Sequence, residues 1–198
     1  MFSAMLLSGC ASMGGAGTEP SSADGDDPSA GLYEGEPEVV FATEYPVDSA
    51  EEAIVRADRA LREGDTDLAL YMYVRAYDLD KDNVHALARI GSIHESRGND
   101  RLATMAFTSV LKVDPDHSSA LQSLGLIYLR ARNLDEAQAL LERAASEDPL
   151  LWRAQNGIGI LADIKGEHAK AIEAYNAALA ANPDDASLLN NRGYSLYL

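Results

Sequence analysis

Residues 118–149 read SSALQSLGLIYLRARNLDEAQALLERAASEDP. The landmarks of this stretch recur on both sides of it at a fixed interval of 34: Gly91, Gly125, Gly159 and Gly193, then Ala69, Ala103, Ala137 and Ala171, then Pro115, Pro149 and Pro183. A period of that length marks a solenoid of helical hairpins, in which each unit packs on its neighbours and not on distant parts of the chain. The expected fold is therefore all-α, a helical-hairpin solenoid wound into a right-handed superhelix.

The punctuation inside each unit has mechanical reasons. In the second unit the first helix ends at Arg97-Gly98-Asn99-Asp100, where Gly98 takes the left-handed position and Asn99 or Asp100 caps the next helix. Gly64 and Gly166 have the same role, and Arg132-Asn133 replaces the glycine in the third unit. The second helix stops at Asp114-Pro115, because proline lacks an amide donor and pushes its predecessor out of the α region. The in-phase glycines lie inside the first helix, where each costs about 1 kcal/mol relative to alanine. That cost makes sense if the second helix crosses there at close range, with Ala103, Ala137 and Ala171 supplying the opposing small surface. Leu121, Leu124, Tyr128, Leu140 and Leu141 are expected to be core.

The units fall at about 50–83, 84–117, 118–151 and 152–185, with a partial one at 186–198, so the repeat domain is expected over 48–198. The first is divergent: Ala57 replaces the first glycine and Lys81 stands where the later units have proline. It opens on Ser49 and Glu52, which have capping-box spacing. The pattern Leu121…Leu124-Gly125…Tyr128…Ala137…Ala144…Pro149 resembles the tetratricopeptide-repeat (TPR) consensus, and the resemblance covers about three quarters of the chain.

Charge is lopsided, with 16 basic against 32 acidic residues and a net charge of −16. Eight of the acidic residues lie before Asp48, where there is no Lys or Arg. This balance argues against nucleic acid, which needs a basic footprint, and against adsorption on an anionic membrane. No apolar run approaches the roughly 20 residues of a transmembrane helix. Cys10 is the single cysteine, so there is no disulfide framework and no cysteine-based zinc cluster.

The chain opens MFSAMLLSGCASMGG. Leu7-Ser8-Gly9-Cys10 resembles the lipobox of bacterial lipoproteins, which implies a signal peptide over 1–9 and lipidation of Cys10. Small residues fit a narrow peptidase groove, and a thiol can be alkylated by a diacylglycerol. Each buried CH₂ then contributes about 0.8 kcal/mol of anchoring. Ala11 and Ser12 follow where an aspartate would imply retention in the inner membrane, so the resemblance implies an outer-membrane address, on the periplasmic face. No Lys or Arg precedes Cys10 and the apolar stretch is short, so residues upstream of Met1 are expected. From 10 to 47 the chain is rich in Gly, Ser, Asp, Glu and Pro and is expected to be a disordered acidic tether, spanning on the order of 35 Å as a flexible coil. The apolar strip at 39–45 is expected to lie against the first repeat.

A search for chemistry yields little. His85 and His94 fall on opposite faces of one helix, His117 lies in a loop and His168 at a helix start, so no metal site is expected. There is no phosphate-cradling loop and no nucleophile elbow. Asp184-Asp185 and Glu147-Asp148 precede helices, where they complement the dipole. Neither an enzyme, a cofactor nor a small-molecule substrate is expected.

The resemblance to TPR proteins implies a ligand groove on the first helices. By phase it would be built from Gln122, Leu126, Leu129, Arg153, Asn156, Ile160, Asn190 and Tyr194. An apolar stripe beside amide groups suits an extended peptide or an amphipathic helix of a protein partner. The same phase provides no Lys/Arg pair of the kind with which chaperone-tail TPR domains grip a terminal carboxylate.

A lipobox, an acidic linker and tandem TPRs together resemble the TadD family of Flp (Tad) pilus assembly lipoproteins, as does the stretch Asn190-Asn191-Arg192-Gly193-Tyr194. The resemblance implies a scaffold with a secretin or another pilus component as partner. The pilotin lipoproteins of type IV pili share the lipobox and the tandem TPRs. A cytosolic TPR adaptor or co-chaperone, and the repeat arm of a larger enzyme, are the other classes left open.

Overall fold

The computed structural model describes residues 45–198. The signal at 1–9, Cys10 and the tether and apolar strip as far as residue 44 lie outside the described residues. Among the described residues the chain forms nine α-helices and no strand: α1 (Ala50–Glu63), α2 (Thr66–Leu79), α3 (Val84–Ser96), α4 (Asp100–Val113), α5 (Ser118–Arg130), α6 (Leu134–Glu147), α7 (Trp152–Ile164), α8 (His168–Ala181) and α9 (Ala186–Tyr197). They pair as the hairpins α1–α2, α3–α4, α5–α6 and α7–α8, each packed on the next, and α9 packs on α8. This is the all-α, TPR-like solenoid that the period of 34 predicts.

Local signals place the helix ends. Gly64, Gly98 and Gly166 have φ of 84°, 74° and 75°, and Arg132 carries the same left-handed turn at φ 66°. Ser49 Oγ accepts the Glu52 N–H at 3.1 Å, while the Glu52 carboxylate accepts from the amide of Asp48 at 3.4 Å, one residue upstream of the usual capping box. Asn99 and Asn133 occupy the N-cap positions of α4 and α6 but make no side-chain cap bond.

The in-phase glycines do mark close crossings, but the residue opposite is large. A Cβ on Gly91 would lie 2.7 Å from the Phe107 ring, one on Gly125 2.6 Å from Leu141, and one on Gly159 2.5 Å from the Tyr175 ring. The glycine is thus a notch for the bulky side chain 16 positions on, and this corrects the expectation that alanines supply the opposing surface. Ala103, Ala137 and Ala171 are fully buried one turn earlier in the same second helices. Leu141 is held from both sides, since a Cβ on Gly157 would meet it at 2.7 Å. Gly193, on α9, has nothing within 4 Å of its would-be Cβ.

The largest apolar cluster runs through α1–α5, with Tyr45 and Val47 packed partly against it, and smaller clusters continue through α5–α7 and on to α9. Neighbouring hairpins are also tied by polar contacts. Arg97 reaches Asp67 at 2.7 Å, Arg130 reaches Asp100 at 2.9 Å, and Arg143 bonds the Pro115 carbonyl at 2.9 Å and Asp116 at 2.8 Å.

Candidate functional site

The first helices α5, α7 and α9 carry the candidate residues, and the structure brings five of the eight together. Leu126 and Leu129 of α5 with Arg153, Asn156 and Ile160 of α7 line one open depression of about 330 Å³, completed by Arg130, Trp152, Asp185, Ser187 and Leu188. Leu129 is buried at its floor, and Leu126 and Ile160 are half-buried. Asn156 also serves the fold, since its Oδ1 accepts from Asn191 Nδ2 at 3.0 Å and ties α7 to α9.

Gln122 belongs to a second, polar depression of about 590 Å³, lined by Ser92, Glu95, Asp100, Ser119, Arg130 and Arg153 among others. It is only 8% exposed. Its Oε1 accepts the backbone N–H of Ala154 at 3.2 Å. That bond caps the first turn of α7, for which Leu151 provides no side-chain acceptor. Asn190 and Tyr194 are exposed on α9 and line neither depression.

Phase alone misses a charged cluster between the two depressions. Arg130 Nη1 lies 3.8 Å from Glu95 Oε1, and Arg153 Nη2 lies 4.0 Å from the same oxygen. Both arginine side chains are about half exposed, whereas that of Glu95 is 14% exposed. The groove does therefore hold a pair of arginines, one from α5 and one from α7. Arg130 sits one position beyond the last ligand-facing place of the template, and the stacking of α5 on α7 brings it to Arg153.

A second polar cluster fastens α9. Asp163 Oδ2 accepts from Ser195 Oγ at 2.6 Å and from the Tyr175 hydroxyl at 2.9 Å, and Oδ1 contacts His168 Nδ1 at 2.9 Å. Burial pushes the Asp163 carboxyl up, but the bonds from Ser195, His168 and Tyr175 outweigh it and hold the group below its ordinary value. Burial and the same carboxylate raise the Tyr175 hydroxyl. Ser195 donates to a carboxylate and not to an imidazole, and a carboxylate so stabilised is a weak base. The arrangement therefore positions α9 and does not activate a nucleophile. Asp58 repeats the motif in the first hairpin. Tyr73 donates to it and His85 Nε2 stands 3.6 Å away, and together they lower its carboxyl against the upward push of burial.

Among the described residues no group of three or more His, Cys, Asp or Glu could hold a metal ion. No helix among them is long and apolar enough to cross a membrane.

A family model described as Tetratricopeptide repeat matches residues 101–149 and 123–186. The chain is 33% identical over 125 residues to the general transcriptional corepressor ssn6 of Schizosaccharomyces pombe, a match that takes in 61% of this chain and 11% of that protein. It thus spans well under two thirds of that relative's length. Among solved structures, MamA 41-end from Desulfovibrio magneticus RS-1 superposes with a TM-score of 0.66 at 25% identity, covering 75% of this chain and 84% of that one. YrrB, described as a TPR protein with an unusual peptide-binding site, gives 0.63 at 20% identity, covering 81% and 82%. At that identity the likeness to YrrB is one of fold.

Proposed function

We propose that this TPR protein is a non-enzymatic scaffold that binds protein partners along the face of α3, α5, α7 and α9. The observation that carries the reading is the apolar depression of Leu126, Leu129, Trp152 and Ile160, edged by arginine and amide groups on the first-helix face. It has the size and chemistry to seat one or two side chains of an extended segment or an amphipathic helix. The peptide-binding site named for YrrB supports the same use of the fold. The lipobox at Leu7–Cys10 and the acidic stretch after it support a lipid-anchored scaffold at the periplasmic face of the outer membrane. Together with the tandem repeats they support a role of the TadD kind in assembling a Tad/Flp pilus or a related secretion machine.

The test is a pull-down from the membrane and periplasmic fractions with wild type and with the double variant Leu126→Glu, Asn156→Ala. Partners should be retained by wild type and lost by the variant at unchanged helical circular dichroism. Equal retention would show that another face binds.

A further inference from the structure

We propose that Arg130 and Arg153 read an internal acidic residue of an extended partner segment, one that places a large apolar side chain in the adjoining depression. The proposal rests on the groove reading above and names the chemistry of its occupant.

The Arg153 guanidinium makes no hydrogen bond among the described residues. Its nearest acid, Glu95, is 4.0 Å away, beyond hydrogen-bonding reach, and half its side chain faces solvent. Arg130 gives Nη2 to Asp100 at 2.9 Å but holds Nη1 3.8 Å from Glu95, also too far for a bond. Glu95 therefore keeps two guanidinium groups side by side without saturating either. Each guanidinium presents a planar fork of donors that matches a carboxylate. The two guanidinium groups share these depressions with Glu95, Asp100 and Asp185 on a chain of net charge −16, so recognition of an acidic side chain depends on their donor forks and not on the field of the surface.

Position decides what kind of carboxylate fits. Arg130 and Arg153 line both depressions, the polar one with Ser92 and Ser119 and the apolar one with Leu126, Trp152 and Ile160. A segment crossing from one to the other passes the pair in mid-course. A chain end bound at the arginines would leave one depression empty, whereas an aspartate or glutamate side chain lets the backbone continue through both.

The probe is a set of fluorescein-labelled, C-terminally amidated Ser/Gly peptides, each with one central aspartate and a leucine at one of the neighbouring positions. Binding to the full chain is read by anisotropy. At least one leucine register should bind wild type roughly tenfold tighter than its asparagine counterpart. Arg153→Ala should abolish that difference, and Arg153→Lys should restore part of it, while the uncharged change Leu126→Ala should weaken aspartate and asparagine peptides alike. Four results would overturn the proposal: equal binding of aspartate and asparagine peptides, a preference that survives Arg153→Ala, a free-acid peptide lacking aspartate that binds as well, or no binding by any register. If the charge preference is nil while Leu126→Glu, Asn156→Ala still abolishes the pull-down, the groove stands and the acidic occupant falls. If that double variant keeps its partners, the groove itself is the wrong face.

Discussion

The side-chain carbonyl of Gln122, on α5, accepts the backbone N–H of Ala154, in the first turn of α7, at 3.2 Å. One hairpin thus caps the opening helix of the next. The amide is buried and shared with the Leu151 carbonyl, and α7 has no side-chain cap from its own N-cap residue, Leu151. The Leu151 carbonyl also accepts that amide, at 2.9 Å, so Gln122→Ala is expected to lower stability by about 0.5–1 kcal/mol, through loss of the shared bond between hairpins and not through an orphaned donor. Thermal unfolding followed by circular dichroism measures this. Gln122→Glu retains the acceptor and should recover most of the loss. An unchanged melting temperature in Gln122→Ala would show that the bond is not formed in solution.

Two in-phase glycines should respond in opposite directions to the same change. Gly159→Ala drives a methyl to 2.5 Å from the Tyr175 ring, which Asp163 holds in place, so overpacking is expected to cost about 1–3 kcal/mol. Gly193→Ala meets nothing within 4 Å and should stabilise α9 by up to about 1 kcal/mol through helix propensity alone. Denaturant melts of both variants decide the matter, and equal signs would refute the notch.

Acid should loosen α9. The Asp163 carboxyl is held below its ordinary value of 3.8, so its contribution to folding is complete above about pH 4. That contribution is lost as pH falls through the depressed value. Asp163→Asn should cost about 2 kcal/mol at neutral pH and flatten the acid limb of the stability profile. Some of the limb should persist, because the Asp58 carboxyl is lowered in the same way. A variant whose profile runs parallel to wild type down to low pH would remove Asp163 from the account.

For the anchor, metabolic labelling with palmitate in a bacterial host should mark the wild-type chain and be lost in Cys10→Ser. The same substitution should move the protein from the membrane to the soluble fraction. Labelling that survives the substitution would exclude Cys10 as the lipid site.

The architecture was legible in the sequence because its signals are local and repeated. Gly98, Pro115 and their counterparts set helix ends through their own backbone limits, whatever surrounds them. The glycine notches were half legible. Their spacing announced a close crossing, but the residue filling each one changes from Phe107 to Leu141 to Tyr175, so no single letter repeats with them. In the groove, phase alone gathered Leu126, Leu129, Arg153, Asn156 and Ile160, since these share one face of α5 and α7. It could not find the Arg130–Glu95–Arg153 cluster, whose members lie 35 and 58 positions from Glu95 and meet through the stacking angle between hairpins. Nor could it show that the side-chain carbonyl of Gln122 reaches across to the first turn of α7.

The ties from Arg97 to Asp67 and Arg130 to Asp100 each join one hairpin to the one before it, and Arg143 reaches Asp116 in the loop between hairpins. Load applied along the superhelix is therefore borne in series, as in a spring of separate coils.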